Sequence, residues 1–106
     1  MGLFRRRRKA GGAGWRAASQ ADLDHLEQFV RSRRGVEALI EPRTTVTETT
    51  VILIAHDGEW TRRRIGSPDD ARRLGNRLSI PVYDVALVGY PQRMRDYNAR
   101  RKSAEA

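Results

Sequence analysis

Few residues in this chain combine type and spacing in a way that suggests chemistry. There are two histidines, His25 and His56. His56 is followed by Asp57 and then by Glu59, and an imidazole with two carboxylates is a metal-ligand set in kind. These three flank an Asp-Gly dipeptide, where polar residues at a hairpin tip are the ordinary explanation. His25 lies between Asp24 and Leu26 and reads as a solvated helix residue. Asp69 and Asp70 are neighbours, so on a helix their carboxylates point about a hundred degrees apart and cannot act as a dyad. Their place is beside a helix N-terminus, where negative charge suits the dipole. The chain has no G-x-G-x-x-G, phosphate-binding loop, nucleophile elbow or H-E-x-x-H. With no cysteine, thiolate catalysis, disulfides and cysteine-ligated metals are excluded. The reading is a protein that is not an enzyme, with no cofactor and no metal.

What remains is cationic. The stretch EWTRRRIGSPDDARRLG, residues 59–75, sets Trp60 beside Arg62, Arg63 and Arg64 and adds Arg72 and Arg73. Guanidinium groups pair with phosphates, and an exposed indole between them stacks on a base. The competing explanation is structural: arginines on an outer strand keep a sheet from pairing with another chain, and Trp60 packs into the core beside the small Ala55. The candidate nucleic-acid-binding residues are Arg5, Arg6, Arg7 and Arg8 in the N-terminal tail, Trp60, Arg62 and Arg64, then Arg72 and Arg73, then Arg93 and Arg95.

The charge distribution favours a polyanionic partner. The chain carries 21 basic and 13 acidic residues, a formal net charge of +8. Residues 1–34 have nine basic and three acidic groups, residues 35–66 four and five, and residues 67–106 eight and five. The excess therefore sits at the two ends, which points to nucleic acid first. RNA is slightly preferred over DNA, because arginine-rich tails and strand-borne aromatics suit irregular RNA. Only Lys9 and Lys102 are lysines, a bias that GC-rich coding also produces. Leu3 and Phe4 ahead of four arginines make a weak, reversible membrane anchor at best. No apolar run approaches the length of a membrane span. No apolar stretch follows the basic start, as a secretion signal requires. The expected location is cytoplasmic.

The elements that must position these residues follow from periodicity and turn chemistry. With 106 residues one domain is expected. Residues 1–18 read as a disordered basic tail, 19–101 as a single α+β domain and 102–106 as a frayed C-terminus. Ser19 caps a helix with Asp22 three residues on, and Leu23, Leu26, Phe29 and Val30 share its inner face. Val36 to Pro42 reads as a short strand with Val36, Ala38 and Ile40 on one side. Two β-branched runs then flank Asp57-Gly58, a hairpin signal. Taking those two residues as the loop pairs Ala55 with Trp60, Ile54 with Thr61 and Leu53 with Arg62. Trp60, Arg62 and Arg64 then share a side with Val51, Leu53 and Ala55. Residues 44–56 are apolar on both sides and are expected in the middle, with 59–65 at the edge. Ser67 and Pro68 start a second helix, whose Gly75 implies a close helix–sheet contact. The fold predicted is α+β: an N-terminal helix, a three-stranded antiparallel β-meander, a helix, a buried segment and a basic C-terminal helix.

The segment VYDVALVGY, residues 82–90, is open at this point. It reads either as a fourth strand or as a turn capped by Asp84 before a short buried helix. It also carries the alternative function, a protein–protein adaptor or accessory subunit. A hydrophobic run with Tyr83 and Tyr90 near its ends is what an interface core uses, unless it only completes the domain core. The favoured function is a non-catalytic nucleic-acid-associated protein that binds RNA or DNA backbone through its arginines.

The span from Val36 to Tyr97, above all EPRTTVTETTVILIAHDGEWTRRRI and IPVYDVALVGYPQRMRDYN, is similar to a family of small actinobacterial proteins of unknown function. The resemblance covers the core and not the tail. It implies a cytoplasmic housekeeping or accessory role and carries over no catalytic or binding residue.

Overall fold

A computed structural model describes residues 18–105. The tail residues 1–17, with Arg5, Arg6, Arg7 and Arg8, lie outside the described residues. Helix α1 spans Gln20–Ser32. Its start is set by a capping box: the Ser19 hydroxyl accepts from the Asp22 backbone N–H at 3.0 Å, and the Asp22 carboxylate accepts from the Ser19 N–H at 3.2 Å. Leu26 and Phe29 are its buried residues. Strands β1 (Glu37–Glu41), β2 (Thr50–Ile54) and β3 (Trp60–Arg64) follow, then helix α2 (Pro68–Leu78). Strand β4 (Val82–Asp84), a short helix α3 (Val85–Val88) and helix α4 (Gln92–Glu105) complete the chain.

The class is α+β, but the sheet has four strands rather than three, in the order β3-β2-β1-β4. β2 is antiparallel to both β1 and β3, and β4 is parallel to β1. A parallel return needs a long crossover, and α2 supplies it by carrying the chain from β3 across the sheet to β4. Gly75 makes the crossing close, because a Cβ there would overlap the Val82 side chain. The central strand is shorter than expected. Residues 44–49 form a loop turned by Thr44, whose N–H donates to the Thr47 carbonyl at 2.9 Å. Val51 to Ala55 are buried on both sides of the sheet.

The hairpin register corrects the expectation by one residue. Trp60 stands opposite Ile54, Arg62 opposite Ile52 and Arg64 opposite Thr50. Asp57-Gly58 is not a two-residue loop here. The Ala55 N–H donates to the Glu59 carbonyl at 2.8 Å and the Gly58 N–H to the Ala55 carbonyl at 3.0 Å, so three residues, 56–58, form the turn. Gly58 takes φ +93°, the last position of a turn with a bulge, which an L side chain resists. Since side chains alternate, one residue of slip moves every β3 side chain to the other face. Trp60, Arg62 and Arg64 therefore share a side with Ile52 and Ile54, not with Val51 and Leu53.

The two faces have different covers. On one, α1 and α2 enclose Ala38, Ile40, Val51, Leu53 and Ile65 with Leu26, Phe29 and Leu74. On the other, Leu39, Ile52 and Ile54 meet Met94 of α4, with Trp60 and Val85 packed alongside. The 82–90 segment holds both structures that the sequence left open, a strand and then a helix capped by Asp84, whose carboxylate accepts from the Ala86 N–H at 2.8 Å. It is not buried. Leu87 is 85% and Val88 57% exposed, because α3 lies beyond the short outer strand β4, where no further element of the described residues covers it. α4 runs to Glu105, past Arg101, and an Arg101–Glu105 pair spans its last turn. No helix of the described residues is long and apolar enough to cross a membrane.

Candidate binding surface

The face covered by α4 holds five of the predicted site residues, Trp60, Arg62, Arg64, Arg93 and Arg95. α4 is fixed against the hairpin tip. Arg93 Nε donates to the Ala55 carbonyl at 3.0 Å and its Nη2 to Glu37 at 2.7 Å. Arg100 donates to the Asp57 carbonyl at 2.9 Å. The Trp60 indole N–H donates to Asn98 Oδ1 at 2.7 Å. Beyond Met94 two grooves open on this face among the described residues. A groove of about 400 Å³ is lined by Trp60, Arg62, Tyr90, Met94, Arg95 and Asn98. A second, of about 470 Å³, runs on through Glu41, Thr44, Thr50 and Val85, and shares Arg62 and Tyr90 with the first.

Glu41 organises the junction of the two grooves. Its carboxylate accepts from Arg62 Nε at 2.7 Å and Nη2 at 3.0 Å, from the Thr50 hydroxyl at 2.6 Å, and from the Tyr90 hydroxyl. Burial works to raise its pKa. The hydrogen bonds from Arg62, Thr50 and Tyr90 and the Arg62 charge outweigh burial, and the carboxyl lies below its ordinary value. The same hydrogen bond to Glu41 raises the Tyr90 phenol, with burial adding to it. Arg62 also lies over the Trp60 ring, 5.2 Å from its centroid, a cation–π distance.

The predicted residues thus separate. Trp60, Arg62, Arg64 and Arg95 lie on the α4 side. Trp60 is half-buried and Arg64 exposed, and Arg64 has no ion pair or side-chain hydrogen bond among the described residues. Arg95 donates to the Tyr90 carbonyl at 2.7 Å and to Gln92 at 2.6 Å. Arg93 is on this side too, but its guanidinium ties α4 to the sheet. Arg72 and Arg73 are on α2, across the sheet, beside Asp69 and Asp70; the fold does not bring them to the grooves. Glu41 and Asn98 were missed by sequence reasoning. Nothing local marks either one: Arg62 and Tyr90 lie 21 and 49 residues from Glu41, and Trp60 lies 38 from Asn98.

The hairpin-tip acids are engaged as well. Glu59 accepts from Arg33 at 3.1 and 2.6 Å, and that hydrogen bond chiefly holds its carboxyl below the ordinary value. Asp57 accepts from the Glu59 N–H at 3.0 Å. Among the described residues no three His, Asp or Glu side chains group as metal ligands.

No family model, curated protein or solved structure matches the chain.

Proposed function

We propose that the chain is a non-catalytic adaptor, an accessory subunit that docks another protein through the Val82–Tyr90 segment. The observation that carries this reading is the exposure of α3. Leu87 and Val88 are exposed on α3, and Tyr83 and Tyr90, which precede and follow it in the chain, are 42% and 40% exposed. Apolar surface left in water forgoes about 25 cal/mol per Å² of stabilisation, and four such side chains within one short segment are the kind of surface that interaction sites use. The patch is also preorganised. Asp84 caps one end of α3, and the Gly89 N–H closes the other on the Val85 carbonyl at 2.8 Å. A partner therefore meets an ordered surface, which lowers the entropic cost of binding.

Charge supports this order of readings. Six of the 21 basic residues and none of the 13 acids lie at positions 1–17, leaving fifteen bases against thirteen acids in residues 18–105. Within that part, Arg33, Arg62, Arg63, Arg73 and Arg93 each stand beside a carboxylate. Eight of the fifteen are in ion pairs among the described residues, so phosphate would have to take about half of the cations of the folded part from an acid. Nucleic-acid association is the second reading. It is favoured by the acid-free charge of residues 1–17 and by the groove in which Trp60, Tyr90 and Arg95 meet. RNA again suits it better than duplex DNA, because a base must be unstacked to reach an indole.

A photo-crosslinking residue at position 87, compared with one at the exposed Arg77 of α2, separates the two in source cells. Adaptor function predicts a discrete protein adduct from position 87 alone. Adducts that nuclease removes, or none above the Arg77 control, favour the second reading.

A further inference from the structure

We infer that the outer edge of β3 accepts an extended acidic segment of a partner protein, which joins the sheet as a fifth strand. This surface lies at the opposite edge of the sheet from α3.

The backbone geometry comes first. The hydrogen bonds that close the β2–β3 ladder join Ala55 to Glu59 at one end and Ile65 to Thr49 at the other. Antiparallel pairs alternate, so with the observed register Thr61 and Arg63 turn their backbone groups toward β2. Trp60, Arg62 and Arg64 turn theirs outward. Among the described residues no strand pairs with this edge. Among the described residues the outward Arg62 carbonyl accepts only from the Arg63 side chain, at 2.8 Å, which an incoming N–H can displace.

The flanks of the edge fit an added strand. On the α4 side lies the groove of Trp60, Arg62 and Arg95. On the α1 side lies a second hollow of about 220 Å³, lined by His25, Phe29, Trp60, Thr61 and the Arg33–Glu59 ion pair. Side chains of an extended peptide point alternately to the two sides, and strand addition uses such paired recesses for specificity.

Charge selects the occupant. β3 presents three consecutive arginines, Arg62, Arg63 and Arg64, against two nearby carboxylates, Glu41 and Asp22 at 3.5 Å from Arg63. A second copy of β3 would set arginine against arginine, and like charges opposite one another destabilise a ladder. A strand with acids opposite Arg62 and Arg64 has the complementary pattern.

The test uses the full chain and an eight-residue peptide that alternates glutamate with valine or threonine, followed by amide hydrogen exchange. Binding is expected to slow exchange at Trp60, Arg62 and Arg64 and to leave Thr61 and Arg63 unchanged. Arg64→Pro removes an outward N–H without touching the β2 ladder, a position where an edge strand tolerates proline. It should weaken binding by about tenfold more than Arg64→Ala, which removes the charge but keeps the N–H. Leu87→Asp should leave peptide binding unchanged. Equal loss in the proline and alanine variants, equal binding of a backbone N-methylated peptide, or no binding at millimolar peptide would each overturn the inference.

Discussion

Gly58 lies directly against the Arg93 carbonyl, so closely that a Cβ would overlap both that oxygen and the Tyr97 side chain. One position at the hairpin tip therefore fixes the turn, through φ +93°, and seats α4. Gly58→Ala should destabilise the fold by about 3 kcal/mol, adding backbone strain to overpacking. Urea unfolding followed by circular dichroism measures it. A loss under about 1 kcal/mol would mean that α4 is not seated through this contact.

Glu41 should give the fold an acid-sensitive component. Its folded-state pKa is depressed, so its contribution is complete above the unfolded value of about 4.3 and disappears as pH falls through the lower folded value. Glu41→Gln should cost about 1–2 kcal/mol near neutral pH by leaving Arg62 without its counter-charge. The gap between variant and parent should close in acid. Chemical denaturation of both proteins between about pH 7 and pH 3 measures that convergence.

How much of this was legible beforehand differs from element to element. The Ser19–Asp22 capping box, the Ser67-Pro68 helix start, the tight Gly75 crossing and the edge position of β3 all follow from local chemistry, and the structure has them. The hairpin register did not follow. Asp-Gly serves equally as a whole two-residue turn or as the last two residues of a three-residue one. That choice decides which face receives Trp60 and Arg62. The apolar run at 85–88 suggested burial, yet burial depends on what covers it, and that is settled by where β4 lands. The grooves were the least legible part, because Glu41, Arg62, Tyr90 and Asn98 meet only through long-range folding.

His25 sets a second pH dependence, at milder acidity. Its Nε2 lies 2.6 Å from the Thr61 hydroxyl, joining α1 to β3. Burial, then the charges of Arg63 and Arg33, lower its pKa despite the opposing pull of Asp22. The unfolded chain thus takes up the proton first. Stability is complete above the unfolded value of about 6.5 and declines as pH falls below it. His25→Gln should remove this decline while leaving the Glu41-dependent one. Thermal unfolding at about pH 7.5 and pH 5.5 distinguishes the two proteins, and an unchanged slope in the variant would rule out His25 as the source.

Docking of a partner protein on α3 would show in the size of the assembly in the source cells. The full chain and a Leu87→Asp, Val88→Asp variant would be sized by gel filtration of nuclease-treated extract. The variant should remain folded, since both side chains are exposed and such changes usually move stability by less than about 0.5 kcal/mol. The full chain is expected to elute in a larger, nuclease-resistant complex and the variant at its free size. Identical elution of the two proteins, or a parent complex that nuclease collapses, would contradict it.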